Sequence, residues 1–264
     1  MFGFPHQHRD KGFRYNKNLI RTAIFQLKFP KTSTIKENVK QFEEKLLPYF
    51  PEKKDVFGGH VQIKFEPAKT PIIKSGASSQ EGFEFRADGD KKVFRITEDT
   101  FTYSILGEVY TNSNDALTEI EGHLSSIFGI CGIEKINWIS TRKINILEPA
   151  VPVNYPKTGL LSYAFGSILI DSILRLPQPA QVESGVNQIV LKTNGYKLNL
   201  RYGLLPIPPA SKIENPQLIL DIDLISEGEY SIKDVIPEWE KINSEIFNIF
   251  NWAISEQVKE SLGK

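Results

Sequence analysis

"VIPEWEKINSEIFNIFNWAISEQVKESLG" (235–263) closes the chain just after "LILDIDLIS" (218–226), and these two stretches together decide the fold class. The longer one sets Trp239, Ile242, Ile246, Ile249, Phe250 and Ala253 on one stripe of a helix. Lys241, Glu245, Asn248, Glu256 and Lys259 fall on the other side, which predicts a single long amphipathic helix. The shorter stretch alternates apolar residues with Asp221 and Asp223, the period of a half-buried strand. The pair predicts an α+β protein: a largely antiparallel sheet covered on one face by helices, ending in a long C-terminal amphipathic helix.

Other segments agree with that class. "LIRTAIFQLKF" (19–29) reads as a first strand ending at Pro30. Thr32, Ser33 and Thr34 offer cap hydroxyls to a helix carrying Val39, Phe42, Leu46 and Leu47. A strand is expected from Gly59, and a loop from Pro67 to Gln80. "GFEFRADGDKKVFRITEDTFTYSIL" (82–106) predicts a three-stranded meander turning at Asp88-Gly89 and at Glu98-Asp99. A helix is expected over Ser113 to Phe128, then a long strand within "IEKINWISTRKINIL" (133–147).

The proline-rich segment after that strand marks the expected boundary. It divides a flexible segment (1–18) and an N-terminal α+β half (19–149) from a C-terminal half (150–264) packed with the first as one unit. "LLSYAFGSILIDSILRL" (160–176) fits a helix by length, while its Ile content also suits a strand. "QIVLKTNGYKLNLRYGL" (188–204) predicts a hairpin around Asn194-Gly195, and a proline-rich loop (205–217) precedes the last strand.

Composition bounds the function. In 264 residues, 40% hydrophobic and 24% charged content is that of a globular chain. Its 32 basic and 32 acidic residues cancel, which does not support capture of nucleic acid or anionic lipid by a global field. The apolar runs are interrupted by Ser and Asp and fall short of the roughly 18 to 20 residues that span a bilayer. No membrane association is expected. The first residues lack the apolar core of a secretory signal, and Cys131 as sole cysteine permits no internal disulfide, so a cytoplasmic location is expected.

Several landmarks recur in a set order: "LIRTAIFQLKF", "FEFRADGDKKVFRITEDTFTYS", "WISTRKINIL", "LILDIDL" and "EIFNIFNWAISEQVKESLG". In this the chain resembles, over nearly its whole length, a sporadically distributed bacterial family of uncharacterised proteins of about this size. The resemblance implies an Arg and an Asn in one strand, at Arg142 and Asn145, and an Asp-rich strand, at Asp221 and Asp223. It also implies a closing helix spaced as Phe247, Phe250 and Ile254. Where members often open that helix with Leu-His, Trp239 or its neighbours stand here, so no role for that histidine carries over. The resemblance implies a soluble α+β protein and no established reaction, cofactor or substrate. The family's patchy distribution suggests a defence or regulatory setting.

Asp221 and Asp223 project from the face opposite Leu218, Leu220, Ile222 and Leu224, where they could hold a divalent cation. The plainer expectation is pairing across the sheet with Lys197, Asn199 and Arg201. Trp138, Arg142 and Lys143 form a basic, aromatic strand suited to stacking a nucleic-acid base, or to filling core. Alternating with Trp138 on a core-side face, Arg142 would need a buried partner. Asp88 and Asp90 around Gly89 fit a turn better than a calcium loop, and Cys131 fits a small turn residue better than a nucleophile. His6, His8, His60 and His123 show no zinc-ligand spacing, and no phosphate-binding glycine motif occurs, so no metal or cofactor is expected.

Two functions are weighed. The first is a non-catalytic binding or assembly protein, with a protein partner or self-association, using Trp138, Arg142, Asn145, Lys197, Arg201, Asp221 and Asp223. The alternative is a metal-dependent enzyme or RNA-processing factor built on the Asp pair and Arg142.

Overall fold

The computed structural model describes residues 1–5, 15–58, 61–64, 72–75, 79–148, 157–166, 183–206 and 216–263. Its strands are β1 (Ile20–Lys28), β2 (Glu52–Gly58), β3 (Val61–Lys64), β4 (Ile72–Ser75), β5 (Ser79–Ala87), β6 (Lys92–Thr97), β7 (Thr100–Leu106), β8 (Ile136–Leu147), β9 (Gly185–Thr193), β10 (Tyr196–Leu204) and β11 (Leu218–Tyr230). The helices are α1 (Thr34–Glu37), α2 (Val39–Leu46), α3 (Ser113–Cys131), α4 (Lys157–Ala164), α5 (Ile232–Ala253) and α6 (Glu256–Leu262). Helix and strand mix as an α+β protein.

Nine strands form one antiparallel sheet in the order β2-β5-β6-β7-β1-β8-β11-β10-β9, and β3 and β4 pair separately. Local turns build its flanks. Asp88 and Gly89, both at positive φ, link β5 to β6, while Asn194 and Gly195 link β9 to β10. Long-range pairing builds the middle: β1 lies between β7 and β8, and β11 joins β8 to the last hairpin. The sheet therefore runs without a break through both halves expected from the sequence.

Alternation along each strand then selects the core. Ala23, Phe25 and Leu27 on β1 line up with Phe101, Tyr103 and Ile105 on β7, and all are buried. Leu220, Ile222 and Leu224 on β11 continue that face. Trp239 of α5 meets Phe25 edge-on at 5.9 Å, and its indole N–H donates to the Ser140 carbonyl at 2.9 Å. Asn112 caps α3 by accepting the Asp115 N–H at 3.0 Å, and Gly132 ends it in the left-handed conformation.

Several expectations need correction. The closing stretch forms two helices, because Ile254 is extended and bridges to Phe165, and the Ser255 side chain caps α6. A tertiary strand contact overrides the helical pattern there. Helix α5 begins at Ile232, three residues early, where Asp234 accepts the Ser231 backbone N–H at 2.9 Å and its hydroxyl at 2.7 Å. Glu245 and Asn248, assigned to the wet side, are buried: Glu245 accepts the Phe2 N–H at 3.1 Å and the Asn248 amide at 3.4 Å. Cys131 is the last residue of α3 rather than part of a turn.

Two strands escaped the sequence reading. β2 is too charged to show a period, and β4 lies inside the expected loop. Within 1–18, expected to be flexible, Phe4 contacts Trp252 at 5.0 Å and Asn16 donates to the Leu262 carbonyl at 3.1 Å. His6, His8 and His60, and residues 167–176 of the stretch left between helix and strand, lie outside the described residues; its first part is α4.

Candidate functional site

Strand register assembles one cluster on the sheet face opposite Ile222. Arg201 on β10 stands across from Asp221 on β11, and Asn199 and Arg142 stand on either side of Asp223. Arg142 reaches diagonally to Asp221 as a fork, Nε to Oδ1 at 2.8 Å and Nη2 to Oδ2 at 2.7 Å. Arg201 donates to Oδ2 from Nε at 2.9 Å and also from Nη2. Both oxygens of the buried Asp221 are thus taken by two guanidiniums. Asp223 accepts the Asn199 amide at 2.9 Å.

Electrostatics follow from this geometry. The Asp221 hydrogen bond raises Arg142 further above its already high value. Burial pushes the Asp223 carboxyl up from the ordinary carboxylate range, against the pull of Asn199 and Arg142. A cation entering here would meet two guanidiniums already paired with Asp221. Among the described residues, no three His, Cys, Asp or Glu side chains cluster as metal ligands.

The expected site residues therefore divide. Arg142, Arg201, Asp221 and Asp223 converge, and Lys197 lies near enough to pull Asp223 down. Trp138 shares their face but stands four residues along β8, opposite Lys28 and Glu227. Asn145 is on the other face, buried, donating to the Leu220 carbonyl at 3.0 Å. Arg142 does not face the core as expected: its neighbours Thr141 and Lys143 do. Two adjacent cations, Arg142 and Lys143, must point to opposite faces, and strand periodicity alone does not say which turns inward.

The inward one marks residues that the sequence reading missed. Lys143 donates to Asn243 on α5, whose amide donates to Ser113 at the start of α3 at 2.7 Å. Its ammonium lies 5.6 Å from the Tyr110 ring centre. Lys143, Ser113 and Tyr110, with Asn112, Asn145 and Phe247, border a cavity of about 160 Å³. A buried lysine without a hydrogen-bonding neighbour would be costly, so an Asn on the helix packed over β8 is its only possible sequence signal.

No family model matches the chain, and no curated protein matches it. Two further groups carry little chemistry. Burial pushes the Cys131 thiol up to about 11, which leaves it protonated and unreactive at neutral pH. His123 sits among Tyr49, Phe50 and Phe94, and burial lowers its affinity for a proton. No described helix is long and apolar enough to cross a membrane.

Proposed function

We propose that this is a non-catalytic binding or assembly protein of a bacterial cell, in a defence or regulatory setting. In this reading helices close one face of the sheet, and the face carrying Arg142 and Arg201 meets a protein partner. Membership of the sporadically distributed family belongs to the same proposal and is supported by the order of its landmarks.

The observation that carries the reading is the pair of guanidiniums, 33% and 41% exposed, held side by side by one buried carboxylate. Asp221 removes the repulsion between them and fixes their planes. Arg142 spends only Nε and Nη2 on it, so Nη1 is left to donate outward. Acidic side chains on a partner are the natural acceptors. The balanced overall charge favours a folded protein over a polyanion as partner. Asp221, buried and paired to two guanidiniums, is a poor general base.

Affinity purification at native expression tests this. The chain should retain a reproducible protein partner, and Arg201→Ala should lose it while keeping the Arg142–Asp221 fork and a cooperative melting transition. A chain with no partner, or one held equally by Arg201→Ala, contradicts the proposal. So does magnesium- or manganese-dependent cleavage of RNA or DNA that Asp221→Asn with Asp223→Asn abolishes.

A further inference from the structure

Among the described residues the sheet ends at β2 on one side and β9 on the other, and the two rims differ in chemistry. β2 reads EKKDVFG, with Lys53, Lys54 and Asp55 along it and a register shift between Val56 and Phe57. Charges and a bulge protect an edge from further strands. β9 reads GVNQIVLKT and pairs with β10 in unbroken register. Lys192 is its sole charge, while Val186, Val190 and Leu191 are 50%, 49% and 39% exposed. An edge that is long, regular and apolar invites another strand.

The turn fixes which backbone groups face outward. Asn194 and Gly195 form a two-residue connection between the register partners Thr193 and Tyr196. Such a turn closes on a hydrogen-bonded pair, so Thr193, Leu191, Ile189 and Asn187 direct their N–H and C=O groups toward β10. Val186, Gln188, Val190 and Lys192 direct theirs to the rim.

We propose that β9 pairs antiparallel with β9 of a second copy of this chain, about a two-fold axis at Ile189. Ile189 then faces its own counterpart as a close, non-hydrogen-bonded pair. Gln188 exchanges hydrogen bonds with Val190 of the second copy, and Val186 with Lys192. The whole strand is used. Charge selects this register: the two lysines stand at opposite ends, each beside a valine, whereas sliding the strands toward their Asn194-Gly195 turns would bring the ammonium groups together. The same pairing covers the exposed valines and joins two sheets into one. It leaves the Arg142–Arg201 face uncovered, so either contact can form without the other.

Sedimentation of the full chain at micromolar concentration should give a dimer, and Val190→Pro should give a monomer of unchanged helix and strand content. Proline removes an N–H that points away from β10, which an edge strand tolerates and a new partner strand does not. Mild oxidation should cross-link Ile189→Cys chains into a covalent dimer, because Cβ atoms in such a pair approach within disulfide reach. Val186→Cys should not cross-link, since its counterpart lies six residues away in register, about 20 Å. The native Cys131 is buried and does not compete. A monomeric wild type, a dimer indifferent to Val190→Pro, or cross-linking of Val186→Cys as readily as Ile189→Cys overturns the proposal.

Discussion

At the scale of single residues, Asp221 and Asp223 are two apart in one strand and do opposite things. Asp221 is the shared acceptor of two cations, so Asp221→Asn leaves both guanidiniums short of a counter-charge. With the arginines partly in solvent, the loss should be about 2 kcal/mol in urea denaturation at neutral pH. Asp223 carries a raised pKa, so its native form binds a proton more readily than its unfolded form. It favours the fold below the ordinary value of 3.8, and that contribution is lost as pH rises through the native value. Asp223→Asn should therefore be neutral or slightly stabilising at pH 7 and should remove that loss. Equal destabilisation by both substitutions would refute the division of roles. The shared face of the two aspartates, and their pairing with Arg201 and Asn199, were legible from alternation and from the neighbouring hairpin. The inward turn of Lys143 was not, because two adjacent cations carry no period.

At the scale of elements, α5 reads correctly where its stripe is apolar and incorrectly where it is polar. Trp239, Ile242, Ile246, Ile249 and Ala253 are all buried as the stripe predicts. Asn243, Glu245, Asn248 and Asn251 are buried as well, since α3 and the first residues of the chain close around the helix. Helical period describes one contact face, and a helix packed from several sides has more than one. The two tryptophans of α5 separate these environments. Trp239→Ala should cost roughly 3 to 5 kcal/mol, as it empties core space and removes the indole hydrogen bond to the Ser140 carbonyl. Trp252→Ala, at the surface beside Phe4, should cost about 1 kcal/mol. Chemical denaturation of the two variants compares them directly, and similar losses would contradict this assignment of the core.

At the scale of the whole molecule, Phe25, Ile222 and Trp239 belong to one continuous core, to which α5 also contributes Val235, Ile242, Ile246 and Ile249. A chain ending at Asp234 should fail to melt cooperatively; a soluble truncation with a sharp transition would show that the sheet stands without α5. The meander β5-β6-β7 and the hairpin β9-β10 were legible because neighbours in sequence pair through short turns. The order of the middle strands was not, because nothing in β1 names β7 and β8 as its neighbours.

That central placement bears on how the protein is made. β1 leaves the ribosome early, yet one of its two neighbours, β8, is complete only at Leu147. At about 5 to 20 residues per second, the nascent chain carries that half-zipped seam for several seconds after β7 has emerged. Throughout this interval the unpaired flank of β1 is open to wrong partners, and synthesis slowed between β7 and β8 should raise the fraction of chains that aggregate.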